Sequence, residues 1–342
     1  MTRQRIVLLI LIAIGLVIAE LVQYGTGFGG KTLWDWLGIL IVPTFLLIGG
    51  IVVNSSIQRN EQARDDDRLK EQALQNFLDH MGELLLKEHL ADPDAGIDAR
   101  IVARAQTLTT LRGLDGERKA VVVRFLFESN LITGSKPIID LSTADLEGVN
   151  LEIDNLDGVN LNGVNLAGAH LGGAHLEGAH LVEARLNGAD VSLARLSGAN
   201  LFRAKFSDSN LSGTQFDGAN LEEVSFSRAN LEAASFKETH AEGAFFWKAN
   251  VKGAYFLRTH LEGAYFVEAN VERTHFVDVN LKDVGINQKQ LNMARIDELT
   301  ILPNHLRRKA SSLIPSYEAQ ALVEFEIDDE DESMKIRRSL RP

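Results

Sequence analysis

The sequence predicts a solenoid of short repeats that follows a helical segment and two membrane-length apolar runs, and three observations carry that prediction. Every fifth residue from Leu141 to Ile286 is apolar, through Leu146, Leu151, Leu156, Leu161, Leu166 and onward, with Ala241 the weakest member. Neither a helix of period 3.6 nor a strand of period 2 produces a strict period of five, so the chain must turn a corner once per unit. No proline falls between Ile138 and Leu302, which suits an uninterrupted stack of coils. Ahead of this register lie the apolar runs Ile6–Val22 and Leu37–Val53, each reaching the roughly 17 residues needed to cross a bilayer.

Two residues before each repeat centre stands a second inward set, mostly Ala with some Val, Thr and Ser, and broken by Asp154. Units such as Ala199-Asn200-Leu201 and Ala219-Asn220-Leu221 have the form A-[NHD]-L-x-G, and the segment closely resembles the pentapeptide-repeat family. The resemblance implies an all-β solenoid, a right-handed quadrilateral β-helix with four pentapeptides per coil, over residues 138–286. Residues twenty apart should then stack on one face. Phe206, Phe226, Phe246 and Phe266 would share one wall, and Phe216, Phe236, Phe256 and Phe276 the opposite wall. After Asn280 the register frays, with Lys289 at a small-residue position, and Gly285–Leu306 resembles the C-terminal cap of bacterial pentapeptide-repeat proteins. A cap over 287–307 would cover the sticky last coil. EFEIDDEDE followed by KIRRSLRP makes 308–342 a disordered, charged tail in expectation.

The apolar runs 6–22 and 37–53 read as a transmembrane hairpin within 1–53, because the loop between them is short and carries Tyr24, Phe28, Trp34 and Trp36. Arg3 and Arg5 precede the first run, Arg59, Arg64, Arg68 and Lys70 follow the second, and only Lys31 lies between. That asymmetry places both ends in the cytoplasm. Residues 54–136 read as a juxtamembrane helix and a small α-helical unit. Leu74, Phe77, Leu78, Met81, Leu84 and Leu85 make one apolar stripe, and ADPDAG (Ala91–Gly96) breaks the helix. A second helix carries Ile101, Val102, Ala105, Leu108 and Leu111 up to Gly113. A third starts at the N-cap Asp115, with Val121, Val122, Phe125 and Leu126 facing inward. Segments of this half, KTLWDWLGILIVP among them, look like those of bacterial membrane-anchored pentapeptide-repeat proteins. The resemblance thus implies an inner-membrane location.

His170, His175 and His180 stand five apart in GAHLGGAHLEGAHL, which places them on three successive faces, too far from one another for the 2.0–2.1 Å bonds of one zinc ion. His240 and His260 should stack, but a pair alone lacks the further ligands of a zinc site. No metal site or cofactor is expected. The absence of cysteine removes thiolate nucleophiles and thiolate metal sites, no catalytic motif appears, and a formal charge of −12 argues against direct nucleic-acid binding.

Two surfaces remain. Asp145, Glu147, Glu152, Asp154, Asp157 and Glu177 form an acidic stretch with no Lys or Arg between Leu141 and His180. The family resemblance implies a role for such charge, since some pentapeptide-repeat proteins are acidic rods that imitate DNA and occupy enzymes such as gyrase. Phe245 and Trp247 flank inward Phe246, and Tyr265 and Val267 flank inward Phe266, so all four should project from one face as a partner patch; Tyr255 with Leu257 makes a lesser version opposite. The expected function is a non-enzymatic, membrane-tethered scaffold for an unidentified protein, with self-association left open and the DNA mimic as the alternative.

Overall fold

The structure, a computed structural model, describes residues 33–92, 97–308 and 313–314. The chain divides into Met1–Asp67 and Arg68–Pro342. The expected span 6–22, the loop aromatics Tyr24 and Phe28 and the tail 315–342 lie outside the described residues, while the span 37–53 is described at side-chain level only for Gly49 and Ile51 to Val53. Among the residues so described, no helix is long and apolar enough to cross a membrane.

Helix α1 (Leu33–Lys87) contributes Leu74, Phe77, Met81 and Leu84 to the core, with Leu78 and Leu85 packed beside them. Phe77 meets Phe125 of α3 edge-on at 6.4 Å, so the stripe packs within the helical unit. Helix α2 (Ile97–Gly113) departs from expectation, because Ala103, Thr107 and Leu111 are buried whereas Ile101 and Val102 are exposed. Two of the three buried side chains, Ala103 and Thr107, are small. Asp115 caps α3 (Gly116–Glu128) by accepting from the Arg118 amide at 3.1 Å, and here Val121 points outward while Ala120, Val122, Val123 and Leu126 are buried. Helix α3 needs that wider apolar face because it packs on the helices and on the first coils of the solenoid. At Gly116 an added Cβ would lie 2.0 Å from the Gly148 carbonyl oxygen, so only glycine allows the approach.

Helix α3 is tied to the solenoid by charge. Arg124 Nε donates to Asp154 Oδ2 at 2.8 Å, and the 5 % exposed Lys119 donates to the Glu147 carbonyl at 3.1 Å with Asp145 at 3.7 Å. Asp154 thus breaks the small-residue pattern because its partner lies on α3. The strand-like turn at Thr133 then pairs antiparallel with Val159 and opens the stack.

From Asp145 the chain winds into a four-sided coil. Parallel bridges join residues twenty apart on every face: Asp145 to Asn165, Asn150 to His170, Asn155 to His175, Asn160 to His180, continuing to Phe245 and Tyr265. Each bridge has a fixed pattern, as where Leu151 N donates to His170 O at 2.8 Å and His170 N to Val149 O at 2.9 Å. At each corner from Thr143 to Asp278 the residue two past the centre has positive φ, as the third residue of a type II turn must. Glycine fits there without strain, which explains the G of A-N-L-x-G. Where Thr or Ser replaces Ala in the small set, its hydroxyl donates to a carbonyl one coil below, as Thr214 Oγ1 does to Val191 O at 2.8 Å and Ser209 Oγ to Leu186 O at 2.6 Å.

Both phenylalanine columns form as expected. Rings stack along the Phe206 column with centroids 5.5, 5.2 and 4.4 Å apart, and along the Phe216 column at 5.2, 4.5 and 5.2 Å. The two columns meet edge-to-face inside the coil, at 5.8 Å between Phe246 and Phe256. Edge-to-face rings fill the square interior and add to simple burial.

The ladder does not stop at Ile286. Strands β1 (Tyr255–Leu257), β2 (His275–Val277) and β3 (Arg295–Ile296) form a parallel sheet in that order. Helix α4 (Gln288–Leu291), held by a capping box between Asn287 and Gln290, replaces one side of the coil, and this accommodates Lys289 where a small residue was expected. Gln290 fills the vacated place, its buried amide donating to the carbonyls of Phe266 and Ala269 at 2.5 and 3.1 Å. Leu313 bridges Ile296, and Ile314 is buried against Leu257 and Val277, so this part of the expected disordered tail is ordered.

Three measurements check this account. Ile153 is β-branched yet has φ 60°, so Ile153→Gly is expected to raise stability by up to about 1 kcal/mol in urea denaturation, the strain removed exceeding the backbone entropy lost. Arg124→Ala should cost about 1–3 kcal/mol by orphaning Asp154, Asp154→Ala less, and a double-mutant cycle should show coupling between them. His275 is held down to about 4, from an ordinary 6.5, by burial and then by Arg295. Its folded value lies below its unfolded one, so the stability tied to the neutral ring is complete above about pH 6.5 and is lost as pH falls toward 4. Melting temperatures across that window should fall less steeply in His275→Gln, which takes the residue found at Gln215 in the same column.

Candidate functional site

The aromatic patch is assembled by the coil spacing. Phe245 and Tyr265 occupy one column, paired as neighbours in the ladder, and their rings stack at 5.2 Å with planes 5° apart. Phe245, Trp247, Tyr265 and Val267 are between 37 and 49 % exposed, so all four predicted residues do project outward together. Arg228 and Lys248 lie over the Trp247 ring at 5.8 and 4.6 Å, giving the apolar centre a cationic margin. Lys248 in turn reaches Glu268 at 3.5 Å. Below the stack the columns turn polar at Ser225 and Ser227, whose hydroxyls meet at 3.2 Å, and above it Gly285 pairs with Tyr265. The patch is therefore two coils tall.

The opposite wall differs. Tyr255 is 38 % exposed and stacks on His275 at 4.7 Å, but Leu257 is buried beneath Ile314. A recess of about 290 Å³ beside them is lined by Gln215, Ser235, Lys237, Tyr255 and His275 among others. The described part of the C-terminal segment thus covers Leu257 of the lesser patch, with Tyr255 still partly exposed, and leaves the Phe245 stack open.

The predicted acidic residues are spread around the first coils, and most have partners. Burial alone would raise the Asp145 carboxyl, but the Glu147 amide, Lys119 and Asn165 together hold it below its ordinary value. Asp154 is engaged by Arg124, Glu152 lies 3.9 Å from His170, and Glu177 reaches Arg195 at 3.2 Å. Asp157 accepts from the Glu177 amide at 2.9 Å; burial and then the Asp157 carboxylate push Glu177 up. Glu147 takes part through its backbone, its carbonyl accepting from Lys119. Higher up, charges pair between coils: Arg203 with Glu223 at 2.7 Å, Arg228 with Asp208 at 2.5 Å and Arg258 with Glu238 at 2.6 Å. Exposed pairs of this kind contribute little stability, yet they cancel much of the negative field.

On another face, Asn210, Asn230, Asn250 and Asn270 form a ladder, each amide donating one coil down at 2.9–3.1 Å, with Asp190 accepting at its foot. The carbonyl oxygen of each also accepts from the amide two residues on, as Asn250 does from Lys252 at 3.4 Å. His170, His175 and His180 stand at the same repeat position on three different faces, bridged to Asn150, Asn155 and Asn160. They are repeat residues and do not converge. His240 and His260 stack at 4.7 Å with planes 2° apart, and Glu242 joins them through its Oε1, 3.3 Å from His240 Nδ1. Sequence reasoning missed Glu242, although its place two residues past His240 carried the signal.

Comparison with known proteins bears on the repeat. A family model described as pentapeptide repeats matches residues 160–198, 199–238 and 246–283. Among solved structures the chain is similar to HetL, a pentapeptide repeat protein involved in heterocyst differentiation regulation from the cyanobacterium Nostoc sp. strain PCC 7120, at 24% identity over 48% of this chain and 79% of that one, with a TM-score of 0.31. It is similar to a pentapeptide repeat protein of the Arabidopsis thaliana thylakoid lumen at 28% identity, over 35% and 84% of the two chains, with a TM-score of 0.27. QnrB1, a plasmid-mediated fluoroquinolone resistance protein, matches at 17% identity over 54% and 88%, with a TM-score of 0.28. No curated protein matches. The pentapeptide-repeat match over 160–198, 199–238 and 246–283 thus falls within the stretch that carries the five-residue register and the twenty-residue ladder.

Proposed function

We propose that the chain is a non-enzymatic scaffold, tethered to a bacterial inner membrane by an N-terminal hairpin, that presents the Phe245 stack to a protein partner on the cytoplasmic side. The exposed, parallel Phe245–Tyr265 pair carries this reading, with Trp247 and Val267 beside it. Aromatic side chains held rigid before a partner arrives lose little entropy on binding, and such residues dominate contact energies. The family match is to a repeat and not to a catalytic family, and in the recess at Tyr255 the Ser235 hydroxyl donates to Asp217 at 2.5 Å instead of pairing with His275 as a nucleophile would with its base. Membrane tethering is supported by the two apolar runs and the flanking arginines. Ile51, Val52, Val53 and Ile57, all about half exposed on α1, also suit lipid contact. The DNA-mimic alternative needs unpaired negative charge along the coil, and the pairing of Asp145, Asp154 and Glu177 with Lys119, Arg124 and Arg195 works against it.

Crosslinking in native membranes followed by mass spectrometry tests the proposal. The Trp247→Ser, Tyr265→Ser variant should fold with an unchanged melting temperature to within a few degrees, since both side chains are partly exposed. It should lose specific partners that the unaltered chain captures. Equal capture by both proteins would overturn the assignment of the patch.

A further inference from the structure

We propose that His240, Glu242 and His260 bind a divalent transition-metal ion of the zinc class on the face of the solenoid next to the aromatic patch. The repeat creates the site. His240 and His260 are one coil apart and paired in the ladder, so the backbone holds their rings face to face at 4.7 Å. Glu242, two residues beyond His240, turns its carboxylate toward the pair. One ligand atom from each of the three lies within 4.8 Å of the others. Two ligands on one zinc ion stand about 3.3 Å apart when each bond is about 2.0–2.1 Å, and the ion lies in the plane of each imidazole, so binding requires the two side chains to rotate out of their parallel stack and converge with Glu242.

Two imidazoles and one carboxylate match the ligand preference of zinc-class ions and leave at least one coordination position open. The histidines are exposed, so that position faces solvent. Glu242 has capacity to spare, because its Oε2 is buried without a hydrogen-bond partner. The flanking column also favours a cation, since Glu222 and Glu262 hold the places of Glu242 one coil to either side. A second group of similar make-up, Asp157, His175 and Glu177, is less suited. Arg195 lies 3.2 Å from Glu177 Oε1 and occupies that carboxylate with a competing positive charge.

The test uses the full chain, purified in detergent without a histidine tag, stripped with a chelator and titrated with Zn²⁺ by calorimetry and with Co²⁺ by visible absorption. One equivalent of Zn²⁺ should bind, with Co²⁺ giving d–d bands. His260→Asn and Glu242→Gln should each weaken binding tenfold or more, because loss of a ligand costs at least as much as loss of a residue that merely orients one, typically 10–100-fold. Asparagine already occupies this column at Asn220 and Asn280, so His260→Asn should keep the fold, seen as an unchanged circular dichroism spectrum. His175→Asn should leave binding unaltered. No stoichiometric binding by the unaltered chain, or binding undiminished in His260→Asn and Glu242→Gln, would overturn the proposal.

Discussion

The backbone ladder between successive coils is the constraint on which everything else depends. Each unit donates and accepts across a fixed twenty-residue step, as His170 N to Val149 O and Leu151 N to His170 O show. Because the next coil satisfies these groups, the interior is free to be wholly apolar, and Phe206 through Phe276 are completely buried. The same ladder leaves the outward side chains little choice of neighbour. A residue meets whatever stands twenty positions away, whether asparagine on asparagine, arginine on glutamate or histidine on histidine.

That rigidity explains which parts of the molecule were legible in the sequence. A strict period of five, with Phe at every twentieth residue of two walls, specifies inward and outward positions without reference to anything distant. The Phe245, Trp247, Tyr265 and Val267 patch could be read for the same reason: each member is set by the register alone. The helical unit obeys no such rule. Ile101, Val102 and Val121 are apolar yet exposed, because the inner faces of α2 and α3 are chosen by what packs against them and by the close approach at Gly116.

Contacts between unlike elements were the second blind spot. Asp154 looked like a flaw in the small-residue series, and only Arg124, on a helix with its own 3.6-residue period, gives it a purpose. Ile314 covers Leu257 from beyond the repeat, where no periodic signal exists. Glu242 was hidden for a different reason. Its column neighbours Glu222 and Glu262 are also glutamates, so nothing in the register singles it out beside the stacked histidines.

Since each unit of five residues makes one side of the coil, direction around the axis is counted in whole units. A duplication of twenty residues between the helical unit and Phe245 would lift the aromatic stack by one storey and leave its bearing intact, whereas one of five would swing it a quarter turn. The one wider step near the end, from Asn280 to Ile301 instead of residue 300, falls above the stack, where it cannot disturb its heading. The protein therefore sets the compass bearing of its stacked aromatic patch, relative to α3, by arithmetic on chain length.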